Sequence, residues 1–158
     1  MINLFLDTEF TTLDMPWPDL LSIGIATREG PTYYVELPYK AYQLSWFCKK
    51  HVVPLLDGNH IEPHVAVLEL CKWIEEFEEP CIFVSDHPEI DHALVSRLLN
   101  NYNVWPTNLC RDAITLPFKN IEHFQRYKTN KQKLYNSGKY RIHHALDDAK
   151  VFILASDT

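Results

Sequence analysis

The sequence predicts an α/β domain: a mixed five-stranded sheet with helices on both faces. Three observations carry this. Three short apolar or β-branched runs crowd into the first 37 residues. Beyond them, apolar residues at helical spacing alternate with short apolar runs. The 158 residues show no internal repeat, low-complexity tract or second domain, so residues 1–158 are read as one domain, long enough to bury a sizeable core.

Ile2–Leu6 is a short apolar run, read as the first strand. Leu20–Thr27 (LLSIGIAT) is the second and Thr32–Leu37 (TYYVEL) the third, rich in β-branched and aromatic residues. The link REGP, Arg28–Pro31, carries hairpin-turn residues, so these strands form an antiparallel meander. Pro54 and Pro63 bracket a loop. Val67, Leu70, Cys71, Ile74 and Phe77 follow at helical spacing, and Pro80 is expected to end that helix. Cys81–Ser85 (CIFVS) reads as a buried strand. Ile90, Ala93, Leu94 and Leu98 mark a second amphipathic helix, and Thr107–Cys110 is the candidate fifth strand. Lys119–Arg141 is polar, basic and aromatic with weak periodicity. A last helix is expected from Ala145 to Ala155, which gives the order βββ-α-β-α-β-α.

Composition narrows the functions. At 46% hydrophobic and 23% charged, the chain is that of a globular protein rather than a disordered one. No apolar run approaches the roughly 20 residues of a membrane span, and no signal-like segment opens the chain, so a cytoplasmic location is expected. Cys48, Cys71, Cys81 and Cys110 form no CxxC pair and read as reduced thiols. The 4 glycines make no phosphate-binding GxGxxG or GxxxxGK[ST] loop. HIEPH, His60–His64, is not a zinc helix, because Pro63 interrupts the helix that an HExxH site needs. The net charge of −6 opposes a polyanionic ligand. That charge is uneven, however: Lys119–Arg141 holds seven basic residues against the single acid Glu122.

The chemistry lies in the carboxylates. FLDTEF, Phe5–Phe10, places Asp7 and Glu9 next to an apolar run. Either the strand ends at Leu6 and both acids are solvated turn residues, or it continues and both point to one face. A buried charge must be paired or coordinate a metal. HHALDDAK, His143–Lys150, sets His143 before the last helix and Asp148 in its first turns; Asp147 and Asp148 would also suit the positive end of the helix dipole. In SDHPEIDHALVSRLL, Asp91 falls in line with the apolar stripe Leu94, Val95 and Leu98, and Asp86 leaves the preceding strand.

Asp-x-Glu, Asp and His-x4-Asp in this order resemble the DEDDh exonucleases, the 3′–5′ group that includes RNase T, oligoribonuclease and proofreading subunits. FLDTEFTTL resembles their first motif, HPEID the second and HHALDD the third. The resemblance spans nearly the whole chain and implies a single exonuclease domain with a ribonuclease H-like fold. The short length and the LDTEF…DLLSIGIA opening most resemble the small RNase AS-type exoribonucleases. This chain departs from the family in three places: Thr11-Thr12-Leu13 where a Gly often follows the Thr or Ser, Ile90 where an aromatic usually stands, and His87 where an Asn is usual. Asp86 therefore competes with Asp91, and His144 and Asp147 compete with His143 and Asp148.

The resemblance implies a metal-dependent 3′–5′ exoribonuclease that releases nucleoside 5′-monophosphates from single-stranded RNA. Single-stranded DNA is the rival substrate, and a non-catalytic nucleic-acid-binding module is the reading of a different class. Asp7, Glu9, Asp91 and Asp148 match the four acids that hold two Mg²⁺ or Mn²⁺ ions. His143 matches the general base, with Glu9 beside it in the catalytic step. Hard cations prefer such oxygen donors, and the unperturbed imidazole value near 6.5 suits proton removal near neutrality. Phe10, Thr11, Thr12 and Leu13 would meet the terminal nucleotide. The basic strip, with Arg126, Lys128, Lys139 and Arg141 interleaved with aromatics, suits a single-stranded backbone. It also suits a solvated surface loop. The family is often a homodimer, and Trp46, Phe47 and Trp105 are candidates for either an interface or the core.

Overall fold

The computed structural model describes residues 1–14 and 18–157. Its strands are β1 (Ile2–Phe10), β2 (Leu20–Ala26), β3 (Thr32–Glu36), β4 (Cys81–Ser85) and β5 (Leu109–Thr115). Its long helices are α1 (Pro63–Glu75), α2 (Pro88–Asn101), α3 (Ile121–Asn136) and α4 (Ala145–Ser156). The sheet order is β3-β2-β1-β4-β5. β1, β2 and β3 pair antiparallel, whereas β4 pairs parallel to both β1 and β5. An antiparallel meander continued by parallel strands in this order is a ribonuclease H-like topology. No helix among the described residues is long and apolar enough to cross a membrane.

Side chains alternate across the sheet, so β1 feeds two cores. Leu4 and Leu6 join Ile23, Ile25 and Val35 with Ala66, Leu70, Leu94 and Leu99, under α1 and α2. Phe5 joins Ala26 and Val84 with Tyr127, Ala149 and Phe152, under α3 and α4. Each large apolar side chain buried this way contributes about 1.5–3 kcal/mol. The odd residues Asp7 and Glu9 extend the Phe5 face, the one that α4 covers. Gly24 pairs with Asp7 across the strands, and a Cβ there would lie 2.2 Å from the Ala145 carbonyl carbon and the Leu146 nitrogen. The missing side chain thus lets the first turn of α4 rest on the sheet beside Asp7.

Several boundaries differ from the sequence expectation. β1 runs through Phe10 rather than stopping at Leu6, because β2 pairs with it as far as Leu20. Pro63 opens α1 rather than bounding a loop, since a first-turn proline forfeits no helical hydrogen bond. α1 ends at Glu75, and Glu78 (φ 53°) turns the chain before Pro80 is reached. The fifth strand lies further on than Thr107–Cys110, because β5 follows β4 in parallel register as far as Thr115. The basic window holds a helix, α3, that weak periodicity concealed. Only Tyr127 is fully buried in it, and Phe124 and Leu134 lend partial cover. The four cysteines are free thiols.

Candidate active site

β1 and β4 run side by side, with Phe5 opposite Val84. Both strands deliver acids at their carboxyl ends, the customary ligand side of an α/β sheet. A cleft of about 730 Å³ opens there. Six carboxylates line it: Asp7, Glu9, Asp14, Asp86, Asp91 and Asp148. His143, Phe10, Thr12, Leu13, Phe47, Lys131 and Tyr135 share the lining.

Each acid is held by its element. Asp91 lies in the first turn of α2 and is 4% exposed. Its Oδ1 accepts from the Thr8 amide at 3.1 Å and the Thr8 hydroxyl at 2.6 Å, while Oδ2 accepts from the Ser85 hydroxyl. Strand pairing with β4 ends before Thr8, which frees that amide for the carboxylate. Asp148, in the first turn of α4, accepts from the Tyr135 hydroxyl through Oδ1 and from the His143 amide at 3.0 Å through Oδ2. His143 takes a left-handed backbone (φ 66°), which an L-residue adopts at a cost. Its ring meets Phe47 edge-on at 4.9 Å.

Two trios of ligating atoms emerge. Glu9, His143 and Asp148 each offer one within 4.8 Å of the others, and so do Asp7, Asp86 and Asp91. The electrostatics fit this crowding. Burial, then the charges of Asp91, Asp148, Glu9 and Asp86, pushes Asp7 well above the ordinary carboxylate range. Burial and the charges of Asp148 and Asp91 push Glu9 to about 8. Burial raises Asp91 to about 6 against the opposing hydrogen bonds from Ser85 and Thr8. It raises Asp148 to about 6 against the Tyr135 hydrogen bond and the Lys131 charge. Burial lowers His143 below its ordinary value, with His51 and Lys131 adding to the effect. The donor set is oxygen-rich and hard, and its carboxylates resist ionising together. Among these residues, Asp7, Glu9, Asp86, Asp91 and Asp148 could hold hard divalent cations such as Mg²⁺ or Mn²⁺.

Of the alternatives left open by the sequence, those at His143–Asp148 separate and that between Asp86 and Asp91 does not. Asp86 and Asp91 both reach the Asp7 trio. His144 turns away from the cleft: it is buried and stacked on Tyr34 with ring centroids 4.6 Å apart. Asp147 takes the Arg141 Nε at 2.7 Å and its amide at 3.0 Å. Among the expected nucleotide contacts, Phe10, Thr12 and Leu13 line the cleft, with Leu13 75% exposed. Thr11 does not. It is buried and ties the chain to Asp19, accepting its amide through Oγ1 at 3.1 Å.

The cations of the basic window are dispersed. Arg126 lines a separate depression near Arg28 and Phe118. Lys128 lies over the Phe124 ring at 5.5 Å. Lys139 is exposed and outside the cleft lining. Arg141 reaches Asp147 and, at 3.4 Å, Asp57. Lys131 and Tyr135, members of the basic and aromatic window, enter the site although neither was among its expected substrate contacts. Their signal was present: Phe124, Tyr127, Lys131 and Tyr135 fall three to four residues apart, one face of a helix. Trp105 packs inward, donating Nε1 to the Leu109 carbonyl at 2.9 Å, whereas Trp46 is 69% exposed.

No family model and no curated protein sequence matches this chain.

Proposed function

We propose that the chain is a metal-dependent 3′–5′ exoribonuclease of the DEDDh kind, acting on single-stranded RNA. One observation carries the reading: Asp7, Glu9, Asp91, His143 and Asp148, drawn from three separate segments, line one cleft. A binding module has no need of acids held so unfavourably. Asp7, Glu9, Asp86, Asp91 and Asp148 would hold the ions. Two bound Mg²⁺ or Mn²⁺ ions would supply a nucleophile at neutral pH and relieve charge on the attacking and leaving oxygens.

The chain's own residues do the rest. His143, whose neutral ring is favoured by burial, takes the proton of the attacking water on a ring nitrogen. The Asp148 carboxylate holds the His143 amide and so fixes where that ring stands. Thr8 and Ser85 hold Asp91 in register with Asp7. Phe10 and Leu13 offer apolar surface to the terminal base. The products would be nucleoside 5′-monophosphates. A homodimer belongs to the same proposal, with exposed Trp46 available to its interface.

The test is digestion of 5′-labelled RNA and DNA oligomers with Mg²⁺ or Mn²⁺. The expected result is a ladder shortening from the 3′ end on RNA, lost in EDTA and in Asp7→Ala. A ladder on DNA alone would transfer the activity to the rival substrate. Wild-type activity in purified Asp7→Ala would remove the nuclease assignment.

A further inference from the structure

Lys131 stands apart from the other cations. Among the described residues lining the cleft it is the only Lys or Arg, against six carboxylates. Its Nζ lies 3.2 Å from Asp86 Oδ2, and its side chain is 28% exposed. The ammonium sits 4.7 Å from the Phe152 ring centroid and 5.8 Å from that of Tyr127. The ammonium thus lies beside a ring of α3 and a ring of α4, with Asp86 in ion-pair reach. It faces a carboxylate that also belongs to the Asp7–Asp91 trio.

Two requirements meet at this position. A cluster of acids without a divalent cation needs a positive charge nearby. An anionic substrate entering an acidic cleft needs one as well, and no other Lys or Arg among the described residues lines that cleft. We propose that Lys131 serves both: it is the counter-ion of Asp86 in the metal-free protein, and it passes to a substrate phosphate when Asp86 turns to a metal. The proposal rests on the nuclease reading. It gives the site a built-in order, in which metal loading frees the cation that then receives the RNA.

Lys131→Met tests this, since methionine keeps an unbranched apolar stem and removes the charge. Titration of Mn²⁺ onto metal-free protein is the readout independent of turnover. Without the competing ammonium, the variant should bind Mn²⁺ about 3- to 10-fold more tightly, as removal of a like charge from a cation site requires. Its KM for a single-stranded RNA oligomer should rise about tenfold, the size of one charge-assisted hydrogen bond. The dependence of log KM on log salt should lose about 0.7 in slope, one phosphate contact on a single strand. Lys131→Arg should retain the wild-type slope. A purely structural Lys131 predicts a lower Tm with Mn²⁺ affinity and salt slope unchanged, and that result would overturn the proposal. If wild type itself neither binds Mn²⁺ nor shortens RNA, the nuclease reading fails instead, and the two failures remain distinct.

Discussion

Asp7→Asn should make the metal-free protein more stable while abolishing its activity. The substitution removes a charge from the centre of the cluster and keeps the shape of the side chain. Asp86 and Asp91 each offer an oxygen within 4.8 Å of Asp7. Two unit charges at that separation repel by about 3.5 kcal/mol at an effective dielectric of about 20. The folded protein relieves this by holding protons. Glu9 is raised from 4.5 to about 8, and Asp91 and Asp148 from 3.8 to about 6. The unfolded chain has already released those protons. Stability from these groups is therefore fullest below the ordinary carboxylate values, and it is lost as the pH climbs through about 6 and on to about 8.

An asparagine at position 7 carries no charge and eases its neighbours. In EDTA, Asp7→Asn and wild type should differ little at pH 5. At pH 8.5 the variant should lead by about 1–3 kcal/mol, part of the Coulomb figure because the wild-type cluster is already partly protonated. In a chain of this size that is about 3–9 °C in Tm. Thermal melts at both pH values, with EDTA and with Mn²⁺, measure it. Mn²⁺ should raise the wild-type Tm and move the variant much less. A variant that melts below wild type in EDTA at pH 8.5 would refute the reasoning. So would a metal-free wild type that gains stability between pH 6 and 8.5.

Two further outcomes follow from single contacts. Gly24→Ala would drive a Cβ to 2.2 Å from α4 backbone, and should cost about 3 kcal/mol or more as overpacking. It should also cut activity by displacing His143 and Asp148; an unchanged Tm would show that α4 does not lean on β2. For His143, the acid limb of kcat/KM at saturating divalent ion should have its midpoint below 6.5, since burial favours the neutral ring. His143→Asn should leave a small residual rate with no such limb, and a limb unchanged in that variant would assign the proton to another group.

The candidate site was legible where the chemistry is carried by residue type and short spacing. Alternation puts Asp7 and Glu9 on one face once the strand continues past Leu6, and it was the pairing with β2 that continued it. His143 and Asp148 were close in sequence, and a helix start was enough to aim both at one region. Asp86 and Asp91 were harder. They compete in one dimension, yet the turn between β4 and α2 brings both to Asp7. α3 was missed because its apolar stripe is thin, with only Tyr127 fully buried, and a row of lysines masked the period. That miss hid the helix face on which Lys131 and Tyr135 reach the cleft.

The sequence by itself determined roughly where the sheet-forming segments lie and the donor chemistry of the site. These follow from local periodicity and from what a carboxylate or an imidazole can do. That β1 runs on through both acids was decided by its pairing with β2. Only the tertiary structure decided which acids converge, which histidine faces the cleft and which cation joins them. His144 is separated from the cleft by the turn at His143, and Lys131 is brought to Asp86 by the packing of α3 on α4. Such pairings join residues 45 positions apart, and no local pattern encodes them. They are fixed by how two helices bury their shared apolar faces.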